Sequence, residues 1–348
     1  MKAIKFPKEQ LHRIKYTKLT KEQIDRKLVP TAAGPQCKSE YSKSLEGKSL
    51  KIVTDDGPVL NYTFKTKGKL TLKEDSAAAV EAGYVALKLK HVVLFSHMVP
   101  RTQKGFNVII DLETNLATVF EVWFSGYRDL REVQRQMYYG YVEVPGKEAP
   151  KEKHHLTNRI EGKGFYWKQD TGIETLEFYP SIMSSSFVEL TRLGGELTFC
   201  GPSDYIMIND ELYIYDRVEC EMSGIMTLYV LDVQDVNQVG VRLGFNEADD
   251  LEYYMFRGAG DIVGQIAHFE PLADHGEKIS FGANMPPMTE KGQRIVYRPL
   301  SMYPPMTEEE VHEAVQKKTA VFIEDGLMGG DQKMLPTDYL VGKKIAVR

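Results

Sequence analysis

The chain repeats itself, and a duplicated unit limits the possible architecture more than any single residue does. Leu45-Glu46-Gly47-Lys48 runs into an apolar stretch, a turn at Asp55-Asp56-Gly57 and a second stretch from Val59 to Phe64. Ile160-Glu161-Gly162-Lys163 does the same, with a turn at Asp170-Thr171-Gly172 and a stretch from Ile173 to Tyr179. Further on, Gly105-Phe106 leads Val108-Ile109-Ile110-Asp111, a polar turn at Thr114-Asn115, and Leu116 to Phe124. Gly224-Ile225 leads Leu228-Tyr229-Val230-Leu231-Asp232, a turn through Asp235, and Val236 to Phe245. Gly47 and Gly162 lie 115 residues apart and Asp111 and Asp232 lie 121 apart, a drift that a few inserted loop residues explain.

Within each copy, short β-branched and aromatic runs are separated by Gly, Asp and Asn turns, without the i, i+3, i+4 apolar spacing of helices. About eight such strands in a meander close most simply into an up-and-down barrel, which removes exposed edges and leaves room for one small ligand. The expectation is an all-β chain of two tandem lipocalin-like antiparallel barrels. An N-terminal arm covers 1–40, the first barrel 41–144, a Pro- and Lys-rich linker 145–153, the second barrel 154–270 and a C-terminal extension 271–348. The arm has weak helical spacing from Lys18 to Arg26, and Tyr127 to Tyr139 predicts a helix bridging the two barrels. In the extension, Thr307 to Lys318 predicts a tail helix capped by Thr307, with Glu308, Glu309 and Glu310 at the positive end of its dipole. Tyr339 to Ile345 echoes the Gly-Lys start of each copy and suggests a spare strand.

Composition then removes several function classes. A chain of 348 residues, 42% hydrophobic and 27% charged, has material for two cores, and a net charge of -5 supplies no basic field for nucleic acid. No stretch approaches the roughly 18 to 20 apolar residues of a membrane span, so a cytoplasmic protein without membrane partners is expected. Cys37, Cys200 and Cys220 show no CxxC spacing, which leaves neither a disulfide framework nor a Cys-built zinc site. There is no GxSxG elbow and no GxxxxGK[ST] loop, and Gly258-x-Gly260 with Gly264 lacks the strand-to-helix setting of a dinucleotide loop. His91 and His97, six residues apart on an extended strand, stand about 20 Å from one another, too far to share a metal. No cofactor and no metal are expected.

The order of Gly-Lys strand, Asp-Gly turn, Tyr/Phe strand and Asp-anchored apolar hairpin resembles the MoaF family of two-unit lipocalin-like proteins. The second copy carries the likeness best, through His155-x-Thr157-x-Arg159-Ile160-x-Gly162-Lys163, Trp167, Tyr179, Asp210-Glu211-Leu212-Tyr213, Val230-Leu231-Asp232 and Val239-Gly240. It spans Leu45 to Phe245, and departs from the family at Ser181 to Ser186, where the family has more aromatic residues. The resemblance implies a fold and leaves the biochemical role open.

Candidate chemistry comes from strand alternation. From Leu212 to Cys220, Leu212, Ile214, Asp216 and Val218 face one way, and Tyr213, Tyr215, Arg217 and Glu219 the other. On the inner wall of a barrel, two phenols, a guanidinium and a carboxylate can orient a phenol, enol or carboxylate and move a proton, as in the lipocalin-like phenolic acid decarboxylases that this stripe resembles. On the outer wall the same residues are a solvated face. In the first copy, the alternation predicts that His91, Val93, Phe95 and His97 share a face, with Tyr62 beside Phe64 and Glu121 beside Trp123 on neighbouring strands. His97, Tyr62 and Glu121 then supply base, donor and orienting carboxylate, unless each His is a satisfied core residue. Asp111 and Asp232 each close an apolar run and read as turn-fixing residues.

The reading is a cofactor-independent lyase or isomerase acting on a small aromatic (phenolic) or unsaturated carbonyl compound. Its catalytic set is Tyr213, Arg217, Glu219, His97 and Glu121, and its ligand-binding set is Tyr62, Phe64, His91, Phe95, Trp123, Trp167, Tyr179 and Tyr215. The alternative is a non-catalytic carrier or sensor of a small hydrophobic ligand. A third possibility is an assembly protein with filled barrels that forms homo-oligomers.

Overall fold

Period-2 alternation and frequent turns dominate the chain, and the computed structural model is accordingly nearly all β. It describes residues 19–125, 130–191, 198–219, 224–246, 248–265, 268–270, 296–298 and 307–313. β1 (Gln36–Cys37) precedes the first copy, which supplies β2 (Ser49–Thr54), β3 (Leu60–Lys65), β4 (Lys69–Glu74), β5 (Val80–Gly83), β6 (Val85–Leu89), β7 (Val92–Met98), β8 (Lys104–Asp111), β9 (Leu116–Phe124) and β10 (Val133–Val142). After β11 (His155–Leu156), the second copy supplies β12 (Lys163–Gln169), β13 (Glu174–Ser181), β14 (Ser184–Glu189), β15 (Thr198–Pro202), β16 (Tyr205–Met207), β17 (Leu212–Val218), β18 (Met226–Asp232), β19 (Asn237–Phe245) and β20 (Leu251–Gln265).

The first sheet runs β5-β4-β3-β2-β10-β9-β8-β7-β6, and the second runs β15-β14-β13-β12-β20-β19-β18-β17-β16 with β11 beyond β16. Strand for strand, the two orders are the same. In each copy the strands at the two ends of the path are consecutive in the chain, joined by Tyr84 in one and by Ser203-Asp204 in the other. Such a short joint brings the two edges together, so each sheet curls; one forms a half-barrel and the other a nearly closed barrel. β1 adds to the second sheet by parallel pairing with β20.

The repeated turns are built alike. Gly47 and Gly162 both have φ of 76°, a left-handed backbone that glycine adopts without strain. The Gly47 N–H donates to the Phe64 carbonyl at 3.0 Å, and the Gly162 N–H donates to that of Tyr179. Asp111 Oδ1 accepts from the Glu113 N–H at 2.9 Å, and Asp232 Oδ1 accepts from the Gln234 and Asp235 N–H groups at 3.0 and 3.1 Å. Both aspartates fix turns, as their positions before polar loops predict.

The barrels pack back to back. Leu94, Ile109 and Phe120 of the first and Ile214, Val230 and Val241 of the second belong to one buried apolar cluster, into which helix α1 (Lys21–Leu28) inserts Ile24 and Leu28. Thr20 caps α1 with Gln23 in a reciprocal capping box. One ionic group sits inside this apolar layer: Arg135 of β10 binds Asp204 at 2.6 Å and also Asp216 of β17.

One expectation changes. The segment predicted as a bridging helix is strand β10 from Val133 onward, with 126–129 outside the described residues. Its apolar spacing fits a helix, but Val133–Val142 closes the first sheet between β9 and β2, and the ladder decides. The tail helix is described at 308–313, where Thr307 and Glu310 cap each other through the Glu310 N–H to Thr307 Oγ1 bond at 3.3 Å and the Thr307 N–H to Glu310 Oε2 bond at 2.8 Å. The rest of that predicted helix, the strand expected at Tyr339 to Ile345, and Cys220 lie outside the described residues.

Candidate functional site in the second barrel

On β17, the ladder places Leu212, Ile214 and Val218 in the cluster between the barrels and so turns the alternate residues inward. Tyr213, Tyr215, Arg217 and Glu219 are all buried, at 3%, 0%, 3% and 2% exposure, so the stripe is an interior wall and not a solvated face. Asp216, on the outward parity, is the residue that meets Arg135.

The interior is layered. Phe165, Trp167, Tyr179 and Tyr205 form an aromatic plug, with ring centroids 5.3 Å apart for Phe165 and Trp167 and 5.5 Å apart for Tyr179 and Tyr205. Tyr215 sits on this plug, 5.0 Å from Tyr179, stacks on Tyr229 at 4.8 Å, and donates to Ser185 Oγ at 3.0 Å. Tyr213 belongs to the same buried cluster and donates to the Asp210 carbonyl at 3.2 Å. Trp167, Tyr179 and Tyr213 therefore fill the barrel instead of lining a site.

Above the plug comes a layer of charge. Arg217 Nη1 donates across the barrel to Glu177 Oε1 at 2.9 Å, and its guanidinium lies 3.7 Å above the Phe187 ring. The Tyr179 and Tyr229 hydroxyls donate to Glu177 at 3.2 and 3.5 Å. Arg242 donates to both oxygens of Glu219, at 2.6 and 3.1 Å, and to Glu252 at 2.6 Å. Over this layer opens a cavity of about 200 Å³, with Arg217, Glu219, Arg242, Glu189, Tyr229 and Tyr254 in its wall. Burial pushes the phenols of Tyr215 and Tyr229 well above their ordinary range and that of Tyr254 up to about 12. Burial opposes the charge on Arg242, but Glu219 and Glu252 beside it hold the guanidinium above its ordinary value. The wall thus offers phenol and guanidinium donors beside carboxylate side chains.

The first barrel uses the same positions differently. The Gly47 and Gly162 bonds make Phe64 equivalent to Tyr179, and hence Tyr62 equivalent to Glu177. Val92 opposes Asp111 as Leu212 opposes Asp232, which makes Phe95 equivalent to Tyr215 and His97 to Arg217. The Glu177–Arg217 ion pair is therefore a neutral Tyr62–His97 hydrogen bond in the first copy, 3.0 Å from Tyr62 Oη to His97 Nε2. Phe64 and Phe95 touch across that barrel at 5.2 Å and Phe106 lies 5.6 Å from His97, so side chains occupy its centre.

Other expected partners do not converge. Glu121 binds Lys104 Nζ at 2.8 Å and accepts from Tyr138 Oη at 3.2 Å; among the described residues no hydrogen bond joins it to Tyr62 or His97. Trp123 is half-buried opposite Lys104. His91 precedes β7 and leaves the shared face, lying instead 3.7 Å from Asp111 and 3.3 Å from Asn209 Nδ2. The turn that holds Asp111 captures it. Of the five expected catalytic residues, only Arg217 and Glu219 line the cavity, while His97 and Glu121 belong to the other barrel.

Glu177, Arg242, Glu252, Tyr229 and Tyr254 were missed by sequence reasoning. Parity alone places Glu177 on the face of Tyr179, a usable signal. Arg242 becomes visible only once Thr227 is known to stand between it and Arg217 in the ladder.

Two buried imidazoles give the fold a pH dependence. Burial lowers His97 to about 4, and it lowers His154, bonded through Nδ1 to Thr118 Oγ1 at 2.8 Å, to about 4. The folded protein keeps both rings neutral, whereas the unfolded chain protonates them near 6.5. Their contribution is complete above pH 6.5 and is lost as pH falls toward 4, by ~3 kcal/mol each. Urea unfolding at pH 7 and pH 4.5 checks this: the midpoint should fall, and His97→Gln and His154→Gln should each flatten the profile. A flat profile in the unsubstituted protein contradicts the burial of both rings.

No family model matches the chain, and no curated protein matches it. Among solved structures, the chain is similar to a protein of unknown function from the DUF3598 family of Nostoc punctiforme, at 10% identity and a TM-score of 0.30, covering 62% of this chain and 94% of that one. So slight a likeness carries no argument, and the fold stands on its own strand order. Among the described residues, no helix is long and apolar enough to cross a membrane, and no group of three or more His, Cys, Asp or Glu can hold a metal ion.

Proposed function

We propose that the second barrel is the working copy, a cofactor-independent lyase or isomerase site that moves a proton on a small aromatic or unsaturated carbonyl compound. One observation carries the reading: the cavity lies against a buried ionic layer at positions where the first copy has a neutral pair and a filled centre. Burying an ion costs several kcal/mol even when it is paired. The Tyr62–His97 pair makes the same cross-barrel contact without that cost, so closing the barrel does not explain Glu177 and Arg217.

In this proposal the carbonyl oxygen of the ligand accepts hydrogen bonds from Arg217 and the Tyr229 or Tyr254 phenol. A wall carboxylate, Glu189 or Glu219, takes a proton from the carbon next to the conjugated system. The C–H electron pair enters the carbonyl system as an enolate, which the donors stabilise, and the proton returns to a different carbon, so that the double bond migrates. Glu177 is a positioning residue that holds Arg217 in place.

Ultraviolet assays of double-bond migration and decarboxylation on a panel of small enones and phenolic compounds test the proposal. With a substrate from that panel, Arg217→Lys is expected to lower kcat/KM about 100-fold or more, because the planar donor set is lost. Glu189→Gln and Glu219→Gln, measured separately, identify the base. Unchanged turnover in Arg217→Lys contradicts the proposal, and binding without turnover across the panel makes the barrel a carrier.

A further inference from the structure

The charges around the cavity are already matched to one another. Arg217 gives Nη1 to Glu177 at 2.9 Å, and Arg242 gives its Nη groups to Glu219 at 2.6 and 3.1 Å and its Nε to Glu252 at 2.6 Å. Each guanidinium is thus neutralised by carboxylates of the barrel itself. Among the described residues of this layer, Glu177, Glu219 and Glu252 outnumber Arg217 and Arg242, and Glu189 adds a further carboxylate to the wall. The phenols add donors without positive charge.

A ligand bearing a carboxylate has to break one of these pairs or sit beside carboxylates in a cavity where water screens little. At a low effective dielectric, like charges a few ångströms apart repel strongly. A neutral carbonyl oxygen meets no such opposition and can accept from the phenols and guanidinia without displacing their partners. Resting on the proposed use of this cavity, we infer that the site rejects carboxylic acids and takes an uncharged carbonyl compound in preference to the acid of the same shape. This narrows the expected substrates, because phenolic acids fall outside the class and neutral enones, aldehydes and amides fall inside it.

Calorimetric titration of the full chain at pH 7 with three compounds of one shape and three charges separates the possibilities: cinnamamide, cinnamate and cinnamylamine. Cinnamamide is expected to bind, with cinnamate the weakest of the three and at least tenfold weaker than the amide. In Glu252→Gln, which removes one negative charge from beside Arg242, the deficit of cinnamate should shrink. Cinnamate binding as tightly as either of the other two overturns the inference while leaving the cavity as a binding site. If none of the three binds, the use of the cavity itself fails, and the inference falls with it.

Discussion

Arg217→Met is expected to destabilise the protein by about 3 to 5 kcal/mol, seen as a lower urea midpoint with an unchanged slope. The loss arises less from the missing contact than from what remains: Glu177, 1% exposed, is left buried without its guanidinium, and among the described residues its remaining hydrogen-bond donors are phenols and a threonine hydroxyl. The internal duplication supplies the control. Because Tyr62 and His97 occupy the equivalent positions, the double substitution Glu177→Tyr with Arg217→His imports a pair that this fold already accommodates. It should recover most of the lost stability while abolishing ligand binding. A cost below about 1 kcal/mol for Arg217→Met alone indicates that the pair is open to water, since exposed ion pairs contribute no more than that.

The second large effect belongs to the contact between the barrels. Arg135→Met leaves Asp204 and Asp216 buried side by side, with the Asp204 N–H still donating to Asp216 Oδ1 at 2.9 Å, and is expected to cost about 3 to 5 kcal/mol at pH 7. Its sign with pH is distinctive. Burial pushes the Asp204 carboxyl well above the usual range, with Arg135 opposing and Asp216 adding to the rise. A carboxyl raised in the folded state stabilises when protonated and loses that contribution as pH rises through its folded pKa. Removing Arg135 takes away the opposing charge, so the deficit of the variant should be smaller at pH 5 than at pH 8. The acid weakness from His97 and His154 affects both proteins and cancels in this difference. A deficit independent of pH contradicts the assignment of this cluster as a buried ionic lock.

Much of the architecture was legible in the sequence because it lies in local signals. Gly47 and Gly162 mark turns that need a left-handed backbone, Asp111 and Asp232 mark turns that need an acceptor, and alternation along β17 selected the four inward residues. The site was legible only in part because its partners meet across the barrel. Arg217 finds Glu177 on β13 and Arg242 finds Glu219, contacts set by how far each sheet curls, which no periodicity encodes. The grouping of His97 with Glu121 failed for a related reason. Phe106 separates them in the ladder, and Lys104 claims the carboxylate. The predicted bridging helix failed because Val133–Val142 carries spacing compatible with either period, and only the need to join β9 to β2 selects the strand.

Two copies of one barrel have diverged, the first with its centre filled and the second with a cavity proposed to hold a ligand. Side-chain NMR of the full chain with labelled Tyr, Thr and Val, titrated with cinnamamide, tests this divergence most directly. Resonances of Tyr229, Tyr254 and Thr227 in the second barrel are expected to shift in a saturable manner, while those of Tyr62, Val108 and Val119 in the first barrel stay in place. Saturable shifts confined to the first barrel contradict it.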